Sequence, residues 1–145
     1  MIFGIGADIA KVSRFERWAK NPDIIRRFFN PCEIVGEDGR ELVERRIRFL
    51  SEHYAARFAA KEAFSKALGT GLSGLELSDF GIKKDGAGKP DFFFGGKTAG
   101  ILDKRFGKGW KVFVSISHER EFAVSFVIIE KDCQKECFDA EVRDV

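Results

Sequence analysis

Residues 57–71, RFAAKEAFSKALGTG, place Arg57, Lys61, Glu62 and Lys66 on the turns of a helix that runs into Gly69-Thr70-Gly71. Cationic side chains leading into a glycine turn suit an anionic ligand, and the carboxylate among them suits a cation. Two fragments from opposite ends of the chain call for the same chemistry. GIGADI at 4–9 puts Asp8 at the end of an apolar run, and SISHE at 115–119 puts His118, one of only 2 histidines, after another. Together they point to a metal-assisted phosphate site.

Each residue has a plainer reading. Asp8 follows small residues that let backbone approach a ligand, or it caps a helix starting near Lys11. Glu62 and Lys66 stand at i and i+4. They form either a solvated ion pair or, because Phe58 and Gly69 continue the same face, a pair beside a partly buried groove. Asp8 and Glu62, with phosphate oxygens and waters, would meet the octahedral oxygen preference of Mg²⁺. Lys66 could then stabilise developing charge or accept a proton. His118 suits hydrogen bonding or base work, although a lone histidine is often structural. Gly69-Thr70-Gly71 and Gly86-Ala87-Gly88-Lys89-Pro90 are glycine-rich loops without the Gly-Lys-Ser/Thr ending of a Walker loop. No Rossmann glycine fingerprint, nucleophile elbow or zinc-protease motif is present.

The elements that must position these residues belong to one domain, 1–130, followed by a charged tail, 131–145. The chain has 145 residues, 44% of them hydrophobic and 33% charged, which is the composition of a soluble globular protein. Its 16 Phe against 1 Tyr and 2 Trp read mainly as core filler. A net charge of +2 is too small to argue for nucleic acid. Basic residues gather at 11–27 and 40–66, a layout that favours an anionic ligand or an acidic partner. No apolar run is long enough to span a bilayer, and MIFGIGADIA reads as a strand, not a signal peptide. With Cys32 alone and Cys133 and Cys137 lacking further ligands at zinc spacing, free thiols in a reducing cytoplasm are expected.

Alternation over 2–9 predicts a first strand. Helical spacing follows over 11–20, and helical pieces over 24–49. A long helix is predicted from about 52 to 68, with Ser51 as N-cap and Gly69 after its end. Strands are expected at 77–83 and 92–94, a short helix at 97–106, and a hairpin of 111–117 with 122–130. The order is not a regular βαβ alternation, so the fold class is α+β, with a mixed or antiparallel sheet packed on the long helix.

GIGADI, RFAAKEAFSKALGTG, GKP at 88–90, and SISHERE running into FAVSFVIIE stand in an order and at spacings that resemble the holo-[acyl-carrier-protein] synthases, the small type of 4′-phosphopantetheinyl transferase, over roughly residues 1–130. The resemblance implies an α+β enzyme that moves the phosphopantetheine arm of coenzyme A to a serine of apo-acyl carrier protein. It implies Asp8 and Glu62 as Mg²⁺ ligands, with Lys66 at the pyrophosphate. Ser117 and His118 fall at the nucleotide phosphates, and Arg57, Gly69, Thr70, Gly71, Gly88, Lys89 and Pro90 at the nucleotide end. It also implies a homotrimer with sites between subunits, His118 facing Asp8 and Glu62 of the adjacent chain. Acyl carrier proteins are acidic, and the Arg14, Arg17 and Trp18 stripe offers charge around an aromatic anchor for such a partner; its alternative is a solvated helix face.

Lys11 stands where an acid is common in that family, DFFF after GKP is bulkier than usual, and the tail lies beyond the matched region. Three other readings stand beside this one: a non-catalytic basic module for acidic partners or nucleic acid, an enzyme serving another carrier, and a purely structural trimer.

Overall fold

A computed structural model of the chain describes residues 1–132. The tail with Cys133 and Cys137 lies outside the described residues. Strand β1 (Ile2–Lys11) leads through a 3₁₀ turn into the short helix α1 (Glu16–Ala19), and α2 (Pro22–Phe28) follows. A second 3₁₀ turn at Pro31–Glu33 and an extended segment precede helix α3 (Glu44–Leu68). Then come β2 (Phe80–Lys84), β3 (Pro90–Phe94), α4 (Gly96–Phe106), β4 (Lys111–His118) and β5 (Phe122–Glu130). The strands form an antiparallel sheet in the order β1-β5-β4 and a separate β2-β3 hairpin. The class is α+β, as expected, and both sheets are antiparallel.

Helix α3 starts two turns earlier than its cap signal predicts. Ser51 lies inside it, and its hydroxyl donates to the Ile47 carbonyl at 2.7 Å. Ile47 and Leu50 continue the apolar period upstream, so tertiary burial overrides the local cap. The helix is 25 residues long and ends on Gly69 at φ 79°, the left-handed conformation that glycine adopts freely.

Two glycines bring β1 against α3. A Cβ at Gly6 would overlap the Ala63 carbonyl oxygen and lie 2.7 Å from the Ala67 nitrogen. One at Gly4 would overlap the Ala67 carbonyl. With Ala59, Ala63 and Ala67 buried on the facing side of α3, backbone meets backbone. Residues alternate along a strand, so Gly4, Gly6, Asp8 and Ala10 share one face of β1. Asp8 is therefore held against the helix from within the strand. It does not end the strand or cap a helix, because β1 continues to Lys11.

The opposite face of the sheet carries Ile5, Ile9, Phe113, Phe122 and Phe126, all among the exposed large hydrophobic residues. Register places Ile5 beside Ile128, Ile128 beside Phe113, and Ile9 beside Val124, which carries an apolar surface across the three strands. Most of the described phenylalanines lie in the core or against it, as the composition suggested, and Phe113, Phe122 and Phe126 are among the exceptions. The core proper gathers Phe15, Phe29, Tyr54, Phe58, Phe64 and Phe80 around α3.

Candidate active site

The sequence-selected residues gather in two places and leave a remainder. The first place is the contact of β1 with α3. Lys66 Nζ donates to Asp8 Oδ1 at 2.8 Å and to the Ala7 carbonyl at 3.1 Å. Lys66 therefore pairs with Asp8 across the fold, not with Glu62 along its own helix. The hydrogen bond with Asp8 raises the Lys66 ammonium above its ordinary range, so this side chain is a fixed cation near neutral pH and not a proton acceptor. Burial, and then the neighbouring Asp8 charge, push the Glu62 carboxyl upward, while Lys66 and Arg14 oppose the shift. Two carboxylates close enough to repel, with one cation beside them, are a donor set that a divalent ion relieves. Among the described residues no cluster of three or more His, Cys, Asp or Glu forms, so the protein offers two oxygen-donor side chains here, which fits an ion completed by phosphate and water.

The second place is a cavity of about 290 Å³ between α3, the β2-β3 hairpin and β4, lined in part by His53, Arg57, Lys84, Gly88, Pro90 and His118. Arg57 donates to the His53 carbonyl at 3.3 Å, and its Nε is buried without a partner. Among the described residues it has no carboxylate within 4.0 Å. A half-buried guanidinium with unused donors suits an anion.

These two places lie on opposite edges of the sheet. His118 registers with Ala123 of β5, and Ala123 with Ala10 of β1. Two strand spacings, about 10 Å, thus separate the β1 and β4 edges. Ser117 registers with Val124 on the outer, apolar face. Lys89 lines a different groove beside Trp110. The loop Gly69-Thr70-Gly71 sits near Arg105 at the far end of α3, with Thr70 Oγ1 donating to the Gly71 carbonyl at 3.0 Å. Twelve helical residues, about 18 Å, part it from Arg57.

The basic stripe is also divided. Arg14 and Arg17 are exposed, but Trp18 is half-buried, stacked on Phe28 at 4.8 Å and edge-on to Phe15 at 5.0 Å and Phe58 at 5.4 Å. It holds α1 to the core, so the free aromatic anchor expected from the sequence is not there.

Lys61 overturns a larger expectation. Grouped by sequence with the ligand-facing charges, it is fully buried and bonded to Glu33 Oε2 at 2.8 Å. A signal existed. Tyr54, Lys61 and Leu68 stand at i, i+7 and i+14, on the buried face of the helix. Sequence reasoning also missed Glu33, His53 and Lys84, which carry no local motif.

His53 Nε2 lies 2.7 Å from the Glu33 carbonyl, as in a neutral ring donating to it. Burial, with Arg57 nearby, lowers its pKa from 6.5 to about 4. The unfolded chain takes up this proton near 6.5 and the folded chain only near 4. The contribution is therefore complete above 6.5 and lost as pH falls towards 4, by about 3 kcal/mol. Chemical denaturation of wild type and His53→Gln at about pH 7 and about pH 4.5 checks this: the variant is expected to lose less stability over that interval.

Residues 4–127 match the model of the 4′-phosphopantetheinyl transferase superfamily, and the chain belongs to it. Within that superfamily it is a member of the holo-[acyl-carrier-protein] synthase family. The enzyme of that name from Treponema denticola is 40% identical over 130 residues, spanning 90% of this chain and 99% of its own. An acyl carrier protein synthase from Plasmodium yoelii, solved with ADP bound, superposes with a TM-score of 0.79 at 32% identity, covering 92% of this chain and 98% of that one. A holo-(acyl-carrier-protein) synthase from Bacillus anthracis, solved in complex with CoA (3′,5′-ADP), gives 0.68 at 32% identity over 91% and 99%.

Proposed function

We infer that this chain transfers the 4′-phosphopantetheine group of coenzyme A to a serine of apo-acyl carrier protein and releases adenosine 3′,5′-bisphosphate. The observation that carries the reading is the Asp8–Lys66–Glu62 cluster, in a chain whose relatives carry that name. The serine oxygen attacks the β-phosphorus of coenzyme A and gives up its proton to water, and the bond from that phosphorus to the bridging oxygen breaks. Negative charge grows on the departing phosphate. Lys66, held cationic and aimed by Asp8, offers it a fixed positive partner. Asp8 and Glu62 would hold Mg²⁺, which supplies charge neutralisation on the pyrophosphate. Arg57 and His118, with the backbone at Gly88 and Pro90, would receive the nucleotide end. Ser117, Lys89 and the Gly69–Gly71 loop stand outside that cavity in a single chain.

The working form in this reading is a homotrimer with sites between neighbouring subunits. Two features support it: the exposed apolar face of the sheet, a surface of the kind that marks an interface, and the separation of His118 from Asp8 by two strands, which a neighbouring chain would close. The setting is the cytoplasm; no helix among the described residues is long and apolar enough to cross a membrane.

Incubating apo-acyl carrier protein with the chain, coenzyme A and Mg²⁺ tests the reaction by mass spectrometry. A mass gain of one phosphopantetheine arm, lost with EDTA, is expected. No gain with coenzyme A still bound would assign another carrier.

The carrier-facing surface is separately testable. Arg17 is exposed and has no ion-pair partner among the described residues, whereas Arg14 also acts on Glu62. Arg17→Glu is expected to raise KM for carrier protein about fivefold at low salt, with little change for coenzyme A. Steady-state kinetics with each substrate varied in turn would measure it, and equal effects on both would refute the assignment.

A further inference from the structure

The buried ion pair of Lys61 and Glu33 has no part in the chemistry above, yet it is bonded on every side. Lys61 Nζ donates to the Leu77 carbonyl at 2.6 Å and to the Phe80 carbonyl, and meets Glu33 Oε2 at 2.8 Å. Glu33 Oε1 accepts from the Ile82 N–H at 3.0 Å, and Oε2 from the Asn30 N–H at 2.9 Å. The Glu33 carbonyl faces His53 Nε2 at 2.7 Å, and the His53 carbonyl accepts from Arg57. Neither charged side chain reaches solvent.

A buried pair is expensive in desolvation, and apolar side chains of similar volume would often stabilise as well or better. What this pair supplies is position. On one side it grips α3, which carries His53 and Arg57. On the other it grips the start of β2, which leads through Ile82 and Lys84 to the turn holding Gly88 and Pro90. All six of these residues line the same cavity.

We propose that Glu33 and Lys61 are positioning residues for the nucleotide cavity, setting the separation between its helix wall and its hairpin wall. This rests on the reading of that cavity as the nucleotide end of the coenzyme A site. Fit is acute at this joint: a Cβ on Gly81 would lie 2.6 Å from the Glu33 carboxyl carbon. A shift of about 1 Å in a binding wall is enough to cost an order of magnitude or more in productive binding.

The test is calorimetric titration of adenosine 3′,5′-bisphosphate, with steady-state kinetics, on wild type, Arg57→Ala, the double variant Glu33→Gln/Lys61→Met, and Gly81→Ala. The double variant removes both buried charges at nearly constant volume. Gly81→Ala displaces the carboxylate and keeps the charges, so it carries the test if the double variant melts below the assay temperature. Expected are about tenfold weaker nucleotide binding and a higher KM for coenzyme A in a folded variant, with KM for carrier protein unchanged. Weakened binding in Arg57→Ala but wild-type affinity in the folded joint variants would overturn the proposal and leave the pair purely structural. Wild-type affinity in Arg57→Ala would overturn the cavity assignment itself.

Discussion

Asp8→Asn is expected to lower kcat/KM for transfer by about a thousandfold, roughly 4 kcal/mol of transition-state stabilisation, while the melting temperature stays nearly unchanged. The two halves of this expectation have separate causes. The Asp8–Lys66 pair is partly open to water, with 17% and 52% of the side chains exposed, and pairs of that kind contribute at most about 1 kcal/mol to stability. In the proposed reaction it is the charge itself that counts. Asn keeps the shape and an oxygen that can still accept from Lys66, but it removes one of the two oxygen anions available to a cation and takes the charge out of the bond that aims Lys66. The Glu62 carboxyl, pushed upward in part by Asp8, should fall back towards its ordinary range. Thermal unfolding and the carrier-protein mass assay on the same preparation decide the matter. Activity within tenfold of wild type would remove this cluster from the reaction.

Gly6→Ala is expected to cost at least about 3 kcal/mol of stability, because overpacking against a backbone has no flexible neighbour to yield. The added methyl meets the Ala63 carbonyl and the Ala67 nitrogen, so β1 and α3 must part. The same movement carries Asp8 away from Lys66, two residues further along the strand. Transfer should therefore fall even under conditions where the variant is folded. Urea denaturation with activity assayed below the transition separates the two effects. A variant as stable as wild type would show that the close approach of strand and helix is not needed.

Much of this was legible in the sequence because it is local. Alternation over 111–117 and 122–130 gave a hairpin that the structure repeats almost residue for residue, since a short loop leaves the two strands little choice of partner. The glycine after Leu68 ended the long helix where expected. The start of that helix was not legible: Ser51 carries a cap signal, but Ile47 and Leu50 have more to gain by packing on α3's own buried side. The burial of Trp18 was equally hidden, because Phe58, which it meets edge-on, lies on a helix far along the chain, and its stacking on Phe28 depends on how α1 and α2 fold back on each other.

The side chains available for chemistry can be read along the chain: an acid after two alternating glycines, a Lys-Glu and a second lysine on one helix, a histidine closing a strand. Those are matters of residue type and short spacing, and they sufficed to indicate the α+β class and a phosphate-handling site. Which of them meet is settled by packing between distant segments. Lys61 and Lys66 are five residues apart on one helix, yet one is sealed in with Glu33 and the other is turned to Asp8. Helix rotation alone sends them to different surroundings, and the strand order β1-β5-β4 holds His118 away from the carboxylates. Partnership of this kind depends on burial and on long-range packing, where the energy of each contact belongs to two distant segments at once.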